Sequence, residues 1–364
     1  MNILYLSLVL LIISTLEFLN KKNIFYFFIA TVLIYFHIGL SYKLGVDWIE
    51  YNSLYENTSN YERYEIGFSW LSKFLSYINI NFWVFVFSVK FIFLTSLFAL
   101  IKKYCLYPTA AITFTLIFLF PFINDPLRQL IATSILFLGI LMNKSKISYK
   151  NIIFGFLFHS SYILIFFIKL QFIKRKQLVK TSILFVLLSL LLIHNFHYLL
   201  LLGNSFIIRK IYFYLTYAVP PNIYSLFIRI IFLYFVCFNK HINLINKKIL
   251  TNNVYTNFWM LSFLLLLVEL LAFQFPLLSQ RLKIYLSPFP FILFLNYIYF
   301  LKDMIFKYTL LFVVFLYLYA TLFSFMNGPM GSFYSLENNI LIQFLLDFPP
   351  NNIEENVRNF WLNS

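Results

Sequence analysis

The sequence predicts an all-α fold, a polytopic integral membrane protein with about ten or eleven transmembrane helices. Hydrophobic residues make up 62% of the 364 residues and charged residues only 11%, whereas about 25% of the residues in an ordinary soluble domain are charged. Apolar runs of the length that crosses a bilayer recur from one end of the chain to the other. The composition therefore excludes a soluble domain.

Each predicted span is an apolar run between polar connections. The candidate spans are residues 2–19, 23–40, 82–101, 107–123, 127–142, 152–172, 181–202, 223–239, 254–275, 284–301 and 306–326. They form a single predicted transmembrane domain, residues 1–326, which includes external loops at 41–81 and 203–222. An external C-terminal tail, residues 327–364, follows. The first run lacks the basic flank and small-residue cleavage site of a signal peptide, so we expect it to be a retained span.

The short basic connections set the predicted orientation. Lysines cluster at Lys21/Lys22, Lys102/Lys103, Lys144/Lys146/Lys150, Lys240/Lys247/Lys248 and Lys302/Lys307. Cytoplasmic loops carry an excess of basic residues, so these connections are predicted to be cytoplasmic and the N-terminus external.

Residues 152–172 conflict with a simple alternation of spans, because the segments on both sides are basic. A broken, re-entrant segment that turns near His159 and Ser160 would leave both basic segments in the cytoplasm. One ordinary span with a reversed charge bias is the alternative.

Most arginines lie away from these lysine-rich connections. The six that map to the outer side, or to the outer part of spans, are Arg63, Arg128, Arg209, Arg229, Arg281 and Arg358. A guanidinium holds phosphate in a bidentate fork, which predicts an external, partly buried anion site. Snorkelling or binding to lipid headgroups is the alternative for any one of them.

The first external loop contains the pattern Gly45-x-Asp47-Trp48-x-x-Tyr51, followed by Glu65-x-Gly67-Phe68. Carboxylates bind sugar hydroxyls and aromatic faces cover the apolar sides of pyranose rings, so Asp47, Trp48, Tyr51 and Glu65 are candidates for carbohydrate binding. Trp48 and Tyr51 also suit an interfacial aromatic belt. Residues 65–78 are predicted to form an amphipathic interfacial helix.

A second candidate region begins a span with Asn124-Asp125-Pro126-Leu-Arg128-Gln129. Arg128 would lie near a helix N-terminus, where the cation and the helix dipole both favour an anion. A capping pair between Asp125 and Arg128 is compatible with this role.

Two ionisable residues lie inside apolar runs. His159 is either a functional intramembrane group or a hydrogen-bonded core residue. Glu269 is expected to be the buried partner of an intramembrane cation such as Arg229. The nearby segment with Arg281 and Tyr285 is a further candidate for substrate binding.

The sequence has no nucleotide-binding loop, no metal-ligand spacing and no nucleophile elbow. We therefore expect no cofactor, no metal and no nucleic-acid partner. Cys105 and Cys237 are expected to be packing residues.

The pattern resembles the EpsG/Wzy family of bacterial polysaccharide polymerases, which includes O-antigen polymerases. The residues that carry the resemblance are Gly45, Asp47, Tyr51, Glu65-x-Gly67-Phe68, Arg128-Gln129-x-x-Ala132, His159-Ser160, Arg281 and Tyr285. They cover about residues 40 to 290. The short loop around Arg209 and Lys210 departs from classical O-antigen polymerases.

The resemblance implies a bundle similar to the membrane-embedded glycosyltransferases, here a GT-C-like fold in a multi-pass protein of the bacterial inner membrane. It implies metal-independent joining of undecaprenyl-diphosphate-linked oligosaccharides at the periplasmic face. Arg128, Arg281 and Arg229 would bind the substrate together with Trp48, Tyr51, Gln129 and Tyr285. Asp47, Glu65 or His159 would be the general base. Membrane lipid and a chain-length regulator protein are candidate partners.

Two other functions fit a polytopic membrane protein. A flippase or transporter of lipid-linked oligosaccharides would use charges along a pathway, although its usual internal repeat is missing from the sequence. A membrane acyltransferase that modifies the glycan would need an early catalytic histidine, for which His37 is the only candidate.

Overall fold

A computed structural model describes residues 3–20, 24–56, 64–124, 126–142, 147–194, 222–272, 275–327 and 331–334. The regular elements in these ranges are all helices. The chain divides into two compact units, one of Met1–Ile163 with Ile298–Ser364 and the other of Leu164–Tyr297. The all-α class is confirmed.

The helices of the first unit run in chain order from the N-terminus. They are α1 (Ile3–Asn20), α2 (Ile24–Ile34, continued by a π-helix at Tyr35–Gly39), α3 (Trp48–Glu56), α4 (Ile66–Tyr77), α5 (Phe82–Tyr104), α6 (Pro108–Ile123), α7 (Leu127–Met142) and α8 (Tyr149–Phe158). A 3₁₀ helix, Ser160–Phe172, follows and leads into the second unit.

The second unit contains α9 (Arg175–His194), α10 (Ile223–Phe238), α11 (Lys240–Ile249), α12 (Asn252–Leu270), α13 (Pro276–Leu286) and α14 (Pro288–Tyr299). The chain then returns to the first unit with α15 (Met304–Met326) and a 3₁₀ turn at Gly331–Tyr334.

Polar side chains start several of these helices by accepting the backbone N–H groups that a helix N-terminus leaves unpaired. Asn81 accepts from Trp83 at the start of α5, Asn222 from Tyr224 at the start of α10, and Asp303 from Phe306 at the start of α15. Proline occupies the first position of α6 and of α13, where its missing N–H costs nothing. Local sequence thus fixes where these apolar helices begin.

A carboxylate from another helix caps α6. Glu17, buried in α1, accepts hydrogen bonds from the backbone N–H groups of Thr109 and Ala110 at 2.9 and 3.1 Å, and from the Thr109 hydroxyl at 2.7 Å. Ser14 and Thr113 pair at 2.9 Å one turn farther along the same two helices. These polar contacts fix the register of α1 against α6.

Four of the described helices are long and apolar enough to cross a membrane: Ile3–Asn20, Phe82–Tyr104, Asn252–Leu270 and Met304–Met326. Two bent pairs, Ile223–Phe238 with Lys240–Ile249 (58°) and Ser279–Leu286 with Pro288–Tyr299 (50°), raise the number to as many as six. This confirms a polytopic membrane protein. Five further apolar helices among the described residues are only 10–17 residues long, and this length criterion leaves them out of the count.

The segment predicted to break near His159 is interrupted there. The α-helix ends at Phe158, His159 has an extended backbone (φ −155°, ψ 124°), and the 3₁₀ helix begins at Ser160. The re-entrant path through a bilayer stays a prediction.

Candidate functional site

The site in the first unit is built around an ion pair between Arg128 and Glu65. Arg128 lies in the first turn of α7, and Glu65 immediately precedes α4. Arg128 Nη1 lies 2.5 Å from Glu65 Oε2, and the two side chains are only 15% and 18% exposed. The Glu65-x-Gly67 motif and the start of α7, separate in sequence, therefore meet in one place.

Two tyrosines enclose the guanidinium of Arg128. Its Nε donates to the hydroxyl of Tyr51 at 3.3 Å, and its Cζ lies 4.4 Å from the centre of the Tyr64 ring. Tyr64 is held in turn by a 2.8 Å hydrogen bond from its hydroxyl to Glu50. A planar cation packed on an aromatic face is restricted to one orientation.

The second carboxylate oxygen of Glu65 reaches the break after α8. Glu65 Oε1 accepts the backbone N–H of Ser160 at 3.0 Å. The adjacent His159 is buried, and its Nδ1 accepts the N–H of Ser161 at 3.2 Å while lying 2.7 Å from the Ser161 hydroxyl. A ring nitrogen that accepts an N–H bond carries no proton, so this contact favours the Nε2–H tautomer of a neutral imidazole.

Close backbone contact accompanies this bridge. A Cβ on Gly67, in the first turn of α4, would lie 2.8 Å from the carbonyl oxygen of Leu157 in α8. Only glycine allows this approach. The motif Glu65-x-Gly67 thus supplies the carboxylate, and its glycine lets α4 approach α8 closely enough for that carboxylate to reach the N–H of Ser160.

The electrostatics of the site favour an ionised Glu65. Burial alone would raise the pKa of Glu65, but the charge of Arg128, the N–H of Ser160 and His159 together lower this pKa to about 2. A general base works best with a pKa near the operating pH. In this geometry Glu65 is better suited to holding Arg128 in place than to accepting a proton.

The remaining candidates of this unit lie nearby in sequence but in different surroundings. Asp47 is half-buried in the turn before α3, and its carbonyl accepts the N–H of Tyr51. Trp48 is buried, and its ring centre lies 5.5 Å from that of Trp83. Gln129 is fully buried beside Arg128, and within the described part of the chain neither its amide oxygen nor its amide nitrogen makes a hydrogen bond.

The second unit contains a buried cluster of three charges. Glu269 Oε2 lies 3.0 Å from Arg229 Nε, which confirms the expected pairing, and Glu269 Oε1 lies 3.0 Å from Lys283 Nζ. Arg229 also donates from Nη1 to Ser225 at 2.9 Å, while its buried Nη2 makes no hydrogen bond to any described residue. Two cations share one carboxylate, so these three side chains sum to one positive charge.

Arg281 and Tyr285 flank Lys283 on α13, two residues to either side. Arg281 is half-buried and Tyr285 is completely buried. Arg128 belongs to the first unit, and Arg229, Arg281 and Tyr285 belong to the second. The joint anion site of the three arginines stays a prediction.

Sequence reasoning missed three charged or aromatic residues that have defined roles in the structure: Tyr64, Glu17 and Lys283. A lone carboxylate within an apolar run is a usable signal for Glu17, as it is for Glu269.

Four of the other candidates, Arg63, Asp125, Arg209 and Arg358, lie outside the described residues, as do nearly all of loop 203–222 and most of the tail. Among the residues that are described, no three His, Cys, Asp or Glu side chains are grouped to hold a metal ion.

Comparison with known protein families identifies a match over most of the chain. The model of the EpsG family matches residues 24–338, which is most of the chain. No curated protein and no solved structure matches.

Proposed function

Because the chain belongs to the EpsG family, we propose that it is a membrane polysaccharide polymerase that joins undecaprenyl-diphosphate-linked oligosaccharide repeat units. We place the reaction at the periplasmic face of the bacterial inner membrane, with an O-antigen or a similar surface polysaccharide as product. The substrate enters from the lipid, and no nucleic acid takes part. A chain-length regulator is a candidate protein partner.

The proposed reaction is a glycosyl transfer. A hydroxyl oxygen of the acceptor sugar attacks the anomeric carbon of the donor glycan. The bond from that carbon to the diphosphate oxygen breaks, and undecaprenyl diphosphate leaves with the electron pair. The proton of the attacking hydroxyl passes to a general base, for which Asp47 and His159 are better candidates than Glu65, because Arg128 lowers the pKa of Glu65.

The observation that carries this proposal is the fixed position of Arg128. Its guanidinium is oriented by Glu65, Tyr51 and Tyr64, and it lies in the first turn of a helix whose dipole also favours an anion. Cations held in place before the reaction stabilise the charge that develops on a leaving group. A diphosphate is the leaving group that this arrangement suits.

The charge cluster of the second unit supports the same chemistry. Arg229, Lys283 and Glu269 leave one positive charge in a buried setting, where Arg229 Nη2 makes no hydrogen bond to a described residue. Arg281 and Tyr285 lie on the same helix as Lys283. We propose that these residues contribute to substrate binding together with Arg128, Gln129, Tyr51 and Trp48.

Deleting the gene and complementing the strain tests the proposal. We expect the deletion strain to carry only single repeat units on its lipid, as seen on a gel of the extracted polysaccharide or lipopolysaccharide. Wild type should restore long chains. Arg128→Ala should cost roughly 10²-fold or more in polymerisation rate, and Arg281→Ala should also shorten the chains. Lys73→Ala, on the exposed side of α4, is the control.

Other outcomes would contradict a polymerase. Absence of any surface repeat in the deletion strain would indicate a flippase. Unchanged chain length with altered acylation would indicate an acyltransferase. Normal chain length in both arginine variants would contradict the proposed site.

A further inference from the structure

We propose that a second site in the first unit, an aromatic cleft separate from the Arg128 pair, binds a pyranose ring of the glycan that does not take part in the reaction. The inference rests on the proposed function for its choice of ligand. The aromatic cleft is lined by Tyr42, Lys43, Trp48, Asn52, Glu56 and Trp83, among others, and has a volume of about 450 Å³. Binding sites for small ligands span about 300 to 1,000 Å³.

The walls of the aromatic cleft are large flat rings. The ring centres of Tyr42 and Trp83 lie 4.4 Å apart, and those of Trp48 and Trp83 lie 5.5 Å apart. Tyr42 and Trp83 are only partly buried, so ring surface remains for a ligand. Rings of this kind cover the C–H face of a sugar, and Tyr and Trp combine such an apolar body with a polar edge.

Polar groups stand beside these rings. Asn52 donates to the exposed carboxylate of Glu56 at 3.0 Å, and both residues line the cleft. Lys43 Nζ lies 5.5 Å from the ring centres of both Tyr42 and Trp48. Buried Trp48 Nε1 has no hydrogen-bond partner among the described residues. Amide, carboxylate and ammonium groups together match the mixed donor and acceptor pattern of sugar hydroxyls.

The backbone around the cleft is constrained in an unusual way. Lys43 (φ 47°) and Asn79 (φ 56°) are both left-handed without being glycine, and both line the cleft. Such conformations persist where the surrounding structure holds them, and they concentrate at ligand-binding sites. The cleft is therefore a shaped site and not a gap between loosely packed loops.

Helix α3 connects this cleft to the Arg128 pair. Trp48, Asn52 and Tyr55 follow the spacing of one helix face and line the cleft. Tyr51, within the same two turns, bonds Arg128 instead. Residues of α3 one turn apart, a rise of about 5.4 Å, thus belong to the cleft and to the surroundings of Arg128, and we place the sugar rings beyond the reacting one in the cleft.

Binding of a glycan without its lipid diphosphate tests this site. The probe is the repeat-unit oligosaccharide released by mild acid from the lipid fraction of the deletion strain. Titration calorimetry with the full-length protein in detergent gives the dissociation constant. We expect wild type to bind, and Trp83→Ala and Glu56→Gln each to weaken binding about tenfold. Glu56→Gln alters one exposed atom, so it tests the cleft even if Trp83→Ala fails to fold.

Two control variants separate the cleft from other effects. Trp70→Ala removes a tryptophan that is 75% exposed on α4 and does not line the cleft, so it should bind the oligosaccharide normally. Arg128→Ala should also bind the oligosaccharide normally while losing polymer synthesis. Absence of wild-type binding, or normal binding by Glu56→Gln, would overturn the proposal. Unchanged chain length on gene deletion would instead overturn the polymerase and leave this binding result intact.

Discussion

Glu65 and Arg128, 63 positions apart in the chain, form an ion pair of 2.5 Å whose carboxylate also bonds the backbone N–H of Ser160. One side chain thereby joins the segment before α4, the start of α7 and the break after α8. A carboxylate that makes two such contacts fixes the arginine before any ligand arrives, and preorganisation of this kind is what stabilises developing charge.

The low pKa of Glu65 predicts how the ion pair responds to pH. The pKa falls from 4.5 to about 2 in the folded protein. The stabilising contribution of Glu65 is therefore complete above pH 4.5 and is lost as the pH falls through 2. We expect the thermal midpoints of wild type and Glu65→Gln in detergent to differ by a constant amount between about pH 5 and 8 and to converge in acid. A difference that changes around pH 7 would contradict a permanently ionised Glu65.

The charge cluster of the second unit predicts an order of stabilities. Glu269→Gln leaves Arg229 and Lys283 buried without their shared counter-charge, and breaking a buried pair costs about 3 to 5 kcal/mol. Lys283→Met leaves Arg229 and Glu269 as a matched pair, so its effect should be much smaller. Thermal unfolding of both variants in the same detergent measures the order. A larger loss for Lys283→Met than for Glu269→Gln would refute this account of the cluster.

The close contact between Gly67 and the backbone of α8 predicts that alanine at position 67 disturbs the packing of α4 against α8. A Cβ at Gly67 meets the backbone oxygen of Leu157 at 2.8 Å, so α4 or α8 must move and the Glu65 bridge to Ser160 must loosen. We expect Gly67→Ala to shorten the polymer in the complementation assay while the protein still inserts into the membrane.

Gly139→Ala is the matched control for this change. Its Cβ would meet the amide end of Asn151, a flexible side chain that can turn away. Alanine also favours a helix over glycine by about 0.5 to 1 kcal/mol. Full chain length in the Gly139 variant and short chains in the Gly67 variant would support the packing argument, and equal chain lengths would count against it.

The sequence was sufficient for the fold class, because composition alone excludes a water-exposed surface. It also named Glu65, Arg128, His159 and Ser160 separately as candidates. It could not pair Glu65 with Arg128, because side chains brought together by tertiary packing leave no trace in local spacing. It could not locate the bends and ends of individual helices, because an apolar run does not reveal where its helix bends or stops, as at Asn239 between α10 and α11.

The exposed face of α4 predicts contact with lipid. Ile66, Trp70, Phe74 and Tyr77 recur at helical spacing and are 59–85% exposed, whereas Phe68 and Ser72 on the other side are buried. A surface helix with an apolar exposed face is stable when that face enters the interfacial layer of a bilayer. This agrees with the interfacial helix expected for residues 65–78.

Fluorescence quenching in reconstituted vesicles measures this contact. We expect lipids brominated near the headgroup to quench wild-type protein strongly and Trp70→Phe weakly, because Trp70, 75% exposed, is the most exposed of the tryptophans that the structure describes. Trp48→Phe, whose indole is 5% exposed, is the control and should be quenched as strongly as wild type. Equal quenching of the Trp70 variant and wild type would place the exposed face of α4 in water.

The substitution Trp70→Asp tests the same contact by activity. If α4 binds lipid, Trp70→Asp should lower polymerase activity, because a charge in the interfacial layer displaces the helix that Glu65 immediately precedes. If the exposed face of α4 lies in water, Trp70→Asp should leave polymer length unchanged.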